Sequence, residues 1–141
     1  MTIVYQDDLV GIDWQELKAA LAKDQFDNGR TPEQLKRSFQ NSHGVCIAWF
    51  NRQVVGTARV LSDGVCNAYL IDVWTLSSFR LQGIAKQMVN HLCMGLTGQH
   101  VYLQVNSGFA EFYRRLGFAE QPHGMSRVIG RWLVNDPHQE G

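Results

Sequence analysis

Three segments rich in apolar and β-branched residues follow one another through the middle of the sequence, and short polar turns separate them. Residues 45–50 and 54–61 flank the polar trio Asn51-Arg52-Gln53, which is typical of a hairpin loop. Ser62-Asp63-Gly64 forms a second turn signal, and residues 68–75 then supply a third strand. The pattern predicts a meander of antiparallel strands at the centre of the fold.

Helical spacing appears before this meander. Apolar residues recur at helical intervals through residues 13–23, after a short alternating segment at residues 2–6 that is typical of an edge strand. Thr31-Pro32-Glu33-Gln34 has the residue types of a helix start: a capping threonine, a proline in the first turn and a glutamine that can close a capping box. Leu35 and Phe39 should then face the core.

The rest of the chain continues to mix helices and strands. A principal helix is predicted from Ile84, because apolar residues recur there at helical spacing until Gly95 and Gly98. The further elements expected, in chain order, are a strand at residues 101–105, a helix at about 109–116, a strand at 125–134 and a loose polar tail from 135. We see no linker or repeat, so residues 1–141 are expected to form one domain.

Composition narrows the class of protein. The 13 basic and 13 acidic side chains cancel and are scattered, so no nucleic-acid partner is expected. The three cysteines lie in apolar stretches and suit buried thiols in a reducing compartment, and no segment approaches the roughly 18 apolar residues of a membrane span. We therefore expect a cytoplasmic protein without a membrane partner. No metal is expected either, because the His43/Cys46 and His91/Cys93 pairs lack the second half of a zinc site.

The loop Arg80-Leu81-Gln82-Gly83-Ile84-Ala85 joins a strand end to the start of the principal helix. The first N–H groups of a helix have no internal partner and lie at the positive end of the helix dipole, so they attract an anion such as a pyrophosphate. Gly83 leaves room for a ligand to approach the backbone, and Arg80 can reach a phosphate oxygen. A tight turn without any ligand gives the same local pattern, so spacing alone leaves both interpretations open.

The order of the elements and two motifs together resemble the GNAT superfamily of N-acetyltransferases. The loop fits the family form Arg/Gln-x-x-Gly-x-Gly/Ala, and Phe112-Tyr113-Arg114-Arg115-Leu116-Gly117-Phe118 fits a second family motif. The resemblance covers about residues 54–118, and residues 59–73 look like small single-domain bacterial and plastid-type members. It implies an α+β fold in α/β/α layers, in which helices flank a central mixed, mostly antiparallel sheet. It also implies acetyl-CoA as cosubstrate, with its pyrophosphate on residues 80–85.

Two departures from the family pattern lie at this loop. Many members carry proline before the arginine, where this chain has Ser77-Ser78, and glycine after it, where this chain has Leu81. Neither change removes a phosphate-binding N–H, but Leu81 is expected to crowd or stiffen the turn and so weaken cofactor binding. A Rossmann dinucleotide site is disfavoured, because its glycine fingerprint is absent and the preceding strands look antiparallel.

The resemblance also implies a reaction centre. In similar enzymes the tyrosine at the position of Tyr113 protonates the departing CoA sulfur, and a phenol with a reference pKa of about 10 keeps its proton at neutral pH. The backbone of Val73-Trp74-Thr75 is expected to bind the pantetheine arm where two strands splay, with an N–H near Val73 or Trp74 on the thioester carbonyl. Asn106 matches a position whose amide often contacts the cofactor. Tyr113 and Asn106 also fit purely structural roles, in the core and in a turn.

Asp72 is the first candidate for the base, because an acid inside the apolar run of residues 69–74 costs free energy unless it is solvated or paired. It could act directly, through water or by holding the positive charge of the amine; a structural salt bridge is the alternative. Asp63 is a weaker candidate, because Asp is common in turns. His123 could line the mouth of a substrate site or simply lie on the surface.

These observations favour an N-acetyltransferase that moves an acetyl group to a primary amine by direct attack in a ternary complex. No motif identifies the acceptor, a small-molecule or peptide amine, and the choice between monomer and homodimer stays open. A non-catalytic acyl-CoA- or peptide-binding module is the alternative, favoured by Leu81 and the missing proline. A nucleotide-binding regulator is a third interpretation, which predicts that ATP rather than CoA raises the melting temperature.

Overall fold

The computed structural model describes residues 2–133 of the chain and shows a five-stranded sheet between two layers of helices. In chain order, the strands β1–β5 are Val4–Gln6, Gly44–Phe50, Gln53–Ser62, Asn67–Thr75 and His100–Tyr102. The helices α1–α4 are Trp14–Lys23, Pro32–Gln40, Ile84–Met94 and Ala110–Arg115. Short 3-10 turns cover Ser77–Phe79 and Ser107–Phe109.

The strands lie in the order β1-β2-β3-β4-β5, so sequence neighbours are also neighbours in the sheet. The first three pairings are antiparallel, whereas β4 and β5 run parallel because α3 crosses over between them. The α+β class, the α/β/α layers and the mixed, mostly antiparallel sheet expected from the sequence are confirmed. β3 is buried along both faces and forms the centre of the sheet.

Local sequence signals fix where the elements begin. Asp13 caps α1 by accepting from the Glu16 N–H, and Thr31 forms the expected capping box with Gln34 at the start of α2. The hairpin between β2 and β3 has a two-residue turn, because Gln53 already pairs with Phe50. The predicted three-residue loop was therefore one residue too long.

The two faces of the sheet carry separate hydrophobic clusters. Along β2, Cys46 and Ala48 belong to the cluster that α3 covers, while Val45 and Ile47 belong to the cluster under α1 and α2. All four residues that define the apolar face of α3 are buried, as predicted: Ile84, Met88, Val89 and Leu92. Leu35 and Phe39 are buried under α2, also as predicted. The sheet therefore separates the layer of α3 and the loop before it from the layer of the first two helices.

Two sequence predictions about the later strands are wrong. The strand predicted at residues 101–105 ends at Tyr102, because only Asn67, Ala68 and Tyr69 of β4 pair with β5. No strand forms at residues 125–133 of the predicted last strand; there Met125, Ile129 and Trp132 are exposed and have no neighbouring strand to pair with. Val134 and the polar tail from 135 lie outside the described residues.

Two further observations concern the exposure of the cysteines and the length of the helices. Of the three cysteines, Cys46 is buried and Cys93 is partly buried, but Cys66 is exposed, so the expectation of three buried thiols is wrong for Cys66. Within residues 2–133, no helix is long and apolar enough to cross a membrane.

Candidate active site

A β-bulge interrupts the pairing of β3 with β4 at the residues predicted to be functional. Thr57 pairs with Trp74 and Arg59 pairs with Ile71, so Asp72 and Val73 together lie opposite Ala58. Asp72 adopts a left-handed backbone conformation with φ 56°. Its carbonyl oxygen accepts a hydrogen bond from Thr57 Oγ1 at 2.9 Å. The bulge therefore has a defined geometry rather than a frayed one.

Beyond the bulge, β4 is open on the side away from β3. The ladder with β5 ends at the Tyr69–Tyr102 pair, whereas β4 continues to Thr75. Thr75 Oγ1 is buried and has no hydrogen-bond partner among the described residues. An unpartnered buried hydroxyl at an open strand end suits a polar, extended ligand, because such a group costs free energy until it is satisfied. The backbone of Val73, Trp74 and Thr75 lies at the splay where the pantetheine arm was expected.

The loop before α3 has the geometry of an anion site. Gly83 is the N-cap residue with φ 82°, and none of the described side chains caps the helix or places an acid in its first turn. A Cβ atom built on Gly83 would meet no protein atom within 4 Å. The N–H groups of Ile84, Ala85 and the following residue precede the first internal hydrogen bond of α3, from Gln87 N–H to the Gly83 carbonyl. These donors and the space before them fit a pyrophosphate.

Lys86 is a functional candidate that the sequence reasoning missed. It lies exposed in the first turn of α3, where the helix dipole disfavours a cation. A cation at the positive end of a helix becomes favourable when an anion binds there. A lysine in the first turn of a predicted helix, where the dipole disfavours a positive charge, was the sequence signal that could have identified this candidate.

Arg80 is close to the end of β4 and is held by neighbours. Its Nε donates to the Thr75 carbonyl at 3.1 Å, and its Nη2 donates to Asp24 Oδ2 at 3.1 Å. The same Asp24 oxygen accepts from Trp74 Nε1 at 2.8 Å. Asp24 is the C-cap residue of α1, so it links the helical layer to both parts of the candidate site.

The side chains of Leu81 and Gln82 are exposed, and Leu81 has φ 64°. The left-handed backbone fits the glycine that the family pattern has at this position. The Leu81 side chain is fully exposed, so the expected crowding of the turn does not occur. Leu81 instead strains the backbone of the turn. The N–H groups of the loop remain available beneath it.

Asp72 lies on the other face of the sheet from α3. Its carboxylate accepts from Arg30 Nη1 and Nη2 and from Arg59 Nε, and all three residues are buried. Burial alone would raise the pKa of Asp72, but the hydrogen bonds and charges of Arg30 and then Arg59 outweigh this effect and lower the pKa. A carboxylate with a lowered pKa and two cationic partners is a weak proton acceptor. The geometry therefore weighs against Asp72 as the base and favours the salt-bridge alternative.

Tyr113 packs against the α3-side core, the cluster that also contains α3 itself. Its ring meets Phe112 and Phe118 edge-on, with ring centroids 4.9 and 5.8 Å away. Burial raises the pKa of the Tyr113 phenol above its ordinary value. The phenol therefore keeps its proton over a wide pH range, as a proton donor must.

The remaining candidates differ in how the structure places them. Asp63 Oδ1 accepts from the N–H groups of Val65, Cys66 and Asn67, and these hydrogen bonds lower its pKa. Asp63 is therefore a turn residue and a poor base. Asn106 is exposed just past β5, where its carbonyl accepts from the Phe109 N–H. His123 is exposed in a loop, and residues 2–133 contain no group of three potential ligands that could hold a metal.

Comparison with known proteins identifies the family. Residues 41–120 match the family model described as the acetyltransferase (GNAT) domain, more than half of the chain. The chain therefore belongs to the GNAT family of acetyltransferases, whose members use acetyl-CoA. The match contains the bulge, the loop of Gly83 and the helix of Tyr113, whereas Asp24, Arg30 and His123 lie outside it.

Individual relatives agree with this family. The chain is 32% identical over 101 residues to the histone acetyltransferase TAP1 of Glycine max, a match that covers 70% of this chain and 42% of TAP1. The chain thus spans about two fifths of that relative's length. A GNAT-family protein from Xanthomonas campestris has the same fold, with TM-score 0.80, 22% identity and coverage of 92% of this chain and 94% of its own. A Deinococcus radiodurans protein assigned as an acetyltransferase gives TM-score 0.79, 24% identity and coverage of 89% and 87%.

Proposed function

We propose that this protein transfers the acetyl group of acetyl-CoA to a primary amine by direct attack in a ternary complex. The observation that carries the proposal is the uncapped start of α3, where Gly83 adopts a left-handed conformation with open space before it. Family membership supports acetyl-CoA as the acyl donor, and this geometry supports the start of α3 as the place where its pyrophosphate binds.

In this proposal the loop and β4 bind different parts of acetyl-CoA. The N–H groups that follow Gly83, together with Lys86, bind the pyrophosphate. The open edge of Val73, Trp74 and Thr75 binds the pantetheine arm, and the buried Thr75 hydroxyl gains a partner there. Arg80 keeps its contact with the Thr75 carbonyl or turns to a phosphate oxygen, since half of its side chain is exposed. Asn106 supplies a further amide contact.

The chemical step needs a neutral amine, a stabilised oxyanion and a proton for the leaving group. The amine nitrogen forms a bond to the acetyl carbon as the carbon–sulfur bond breaks. The Val73 N–H donates to the carbonyl oxygen while negative charge develops on it. Tyr113 gives its phenolic proton to the sulfur, the nitrogen releases a proton to water, and the Tyr113 phenolate takes a proton back from water, so protons and charges balance over one turnover.

The acceptor is a primary amine on a small molecule or a peptide. The TAP1 relative is named a histone acetyltransferase, which makes lysine-containing peptides one class worth testing. The runner-up is a non-catalytic acyl-CoA- or peptide-binding module. The strained Leu81 and the Ser77-Ser78 pair in place of proline favour it, because both alter the cofactor loop.

Two measurements on the purified chain test the proposal. Calorimetry with acetyl-CoA measures binding, and thiol detection measures release of CoA with a panel of polyamines, arylalkylamines, amino acids, aminoglycosides and lysine peptides. Binding together with amine-dependent release is the expected result. Binding without release for every amine would favour the module, and no binding at millimolar acetyl-CoA would contradict both.

A further inference from the structure

Asp72 is surrounded by donors on every oxygen. Oδ1 accepts from Arg30 Nη2 at 3.0 Å, and Oδ2 accepts from Arg30 Nη1 at 2.9 Å and from Arg59 Nε at 2.5 Å. The three side chains are only 4% to 10% exposed. We call Arg30, Asp72 and Arg59 the arginine–aspartate cluster. Because a substrate amine cannot reach a carboxylate so enclosed, the cluster needs a role other than proton transfer.

The cluster joins the helical layer to β4. Arg30 lies in the connection between α1 and α2, where its Nε donates to the Asp27 carbonyl at 3.0 Å. Arg59 lies on β3, donates from Nη1 to the Ser38 carbonyl of α2 at 3.2 Å, and places its guanidinium 5.6 Å from the ring centre of Phe39. Each arginine thus donates to a backbone carbonyl of the helical layer as well as to Asp72, and these contacts fix its side chain.

The residue they hold is the one with the unusual backbone. Asp72 has φ 56° in the bulge. Residues other than glycine keep this unfavourable conformation only when several surrounding contacts hold it in place. Thr57 Oγ1 fixes the same peptide unit from another direction, since it donates to the Asp72 carbonyl at 2.9 Å. The carbonyl of Asp72 and the N–H of Val73 belong to one planar peptide. Whatever orients the carbonyl therefore also orients the N–H, in the opposite direction.

We propose that Arg30, Arg59 and Thr57 are positioning residues: they act on the Asp72–Val73 peptide and aim the Val73 N–H at the thioester carbonyl. This inference rests on the acetyl transfer proposed above. In this inference, residues outside the cofactor loop orient the Val73 N–H, the donor that stabilises the developing oxyanion. Such donors contribute only when they are fixed in advance, because a misplacement of about 1 Å can cost on the order of 100-fold in rate.

Thr57→Val and Thr57→Ser form the decisive pair of variants. Valine has nearly the same shape but lacks the hydroxyl, whereas serine keeps it, so packing and orientation are separated. We expect Thr57→Val to lower kcat about tenfold, with the Kd for acetyl-CoA changed less than about threefold, and Thr57→Ser to restore most of the rate. Asp72→Asn should lower kcat on the order of 100-fold with a similarly small change in Kd.

A second readout does not depend on turnover. The amide signal of Val73 in the nitrogen–proton correlation spectrum, recorded without acetyl-CoA, should shift in Thr57→Val and return in Thr57→Ser; Asp72→Asn is not used here, because changing the residue before Val73 shifts this signal in any case. The exposed Arg37→Gln in α2 is the control and should change neither the rate nor this signal. If Asp72→Asn does not fold, the Thr57 pair decides alone.

Two results would overturn the inference. One is a Thr57→Val variant with kcat within about twofold of wild type and an unmoved Val73 signal. The other is a Thr57→Val variant like wild type beside an Asp72→Asn variant whose kcat loses the acidic limb of its pH profile, which would make Asp72 the base. A wild-type chain that does not bind acetyl-CoA would contradict the proposed function instead, while the Val73 signal still decides how the bulge is held.

Discussion

Arg80 donates from Nη2 to Oδ2 of Asp24 over 3.1 Å, so the cation of the loop before α3 faces a carboxylate from the end of α1. The Arg80 side chain is 51% exposed, and an ion pair this exposed contributes little to stability. The negative charge of Asp24 nevertheless lies close to the place where the pyrophosphate is expected. It should therefore oppose acetyl-CoA binding.

Asp24→Asn should tighten acetyl-CoA binding. The substitution removes a negative charge near a polyanionic ligand, while the amide oxygen of asparagine still accepts from Trp74 Nε1. We expect the Kd measured by calorimetry to fall about threefold at low salt, with the gain shrinking as ionic strength rises. Glu33→Gln, an exposed acid of α2, is the control and should leave the Kd unchanged. A weaker affinity in Asp24→Asn would show that Asp24 positions Arg80 for the ligand.

Gly83→Ala should weaken acetyl-CoA binding about tenfold, which corresponds to ~1.4 kcal/mol. The new methyl group enters the open space in front of the α3 N–H groups, and φ 82° strains it. Gly98 has φ 85° and equally open surroundings after the end of α3, so Gly98→Ala carries the same strain of about 1 kcal/mol without a ligand nearby. Thermal unfolding should show similar losses in both variants, and calorimetry should show the affinity loss in Gly83→Ala alone. Equal acetyl-CoA affinities in the two variants would show that the pyrophosphate does not bind at this loop.

Tyr113→Phe should lower turnover roughly 100-fold and change acetyl-CoA affinity little, because the ring packing is kept and only the proton donor is lost. Burial raises the pKa of Tyr113, so the acid stays protonated and kcat of the wild type should not fall on its account until above about pH 10. Tyr102→Phe on β5 is the matched control. Rates near wild type in Tyr113→Phe would reject its role as the acid.

Asp72→Asn should destabilise the protein by about 3 kcal/mol at pH 7, because two buried guanidinium groups lose their counter-charge. The pKa of Asp72 is lowered in the folded state, so its contribution is complete above the unfolded value near 3.9 and is lost as the pH falls through the folded value. Chemical unfolding from pH 7 to pH 3 should therefore show the gap between wild type and variant closing only below about pH 4. A gap that is independent of pH would mean that the charge of Asp72 contributes nothing.

Leu81→Gly should raise the free energy of unfolding slightly, by up to about 1 kcal/mol. The side chain is fully exposed and buries nothing, so the change relieves the strain at φ 64° and costs only the extra freedom of glycine in the unfolded chain. Val65→Gly, at an exposed turn residue outside the left-handed region, should have the opposite sign. Thermal melts of the two variants compare them directly.

The parts of the fold that could be predicted from the sequence are those that depend on local chemistry. The capping box of Thr31 and Gln34, the meander and the start of α3 after Gly83 all follow from neighbouring residues. The strand predicted at 125–134 had the right residue types. A strand forms only where an adjacent edge pairs with it, however, and pairing is not a property of its own sequence.

The candidate site was predictable only in part for the same reason. Arg30 and Asp72 are 42 residues apart, and Asp24 and Trp74 are 50 residues apart. No spacing rule brings such pairs together; only the docking of the connection between α1 and α2 onto β4 does. The loop from Arg80 to Ala85 could be proposed from the sequence because anion binding there would depend on consecutive backbone groups, whereas the environment of Asp72 depends on three separate elements.

The bulge in β4 also sets the phase of the strand. Before it, Ala68 and Leu70 face the α3 layer; after it, Val73 faces that layer and Trp74 faces the opposite one. Deleting one residue at the bulge would invert this order, so the indole would rotate beneath α3 and Asp24 would lose one of its donors. Natural relatives should therefore vary freely in the length of their loops but hold this strand to a constant residue count.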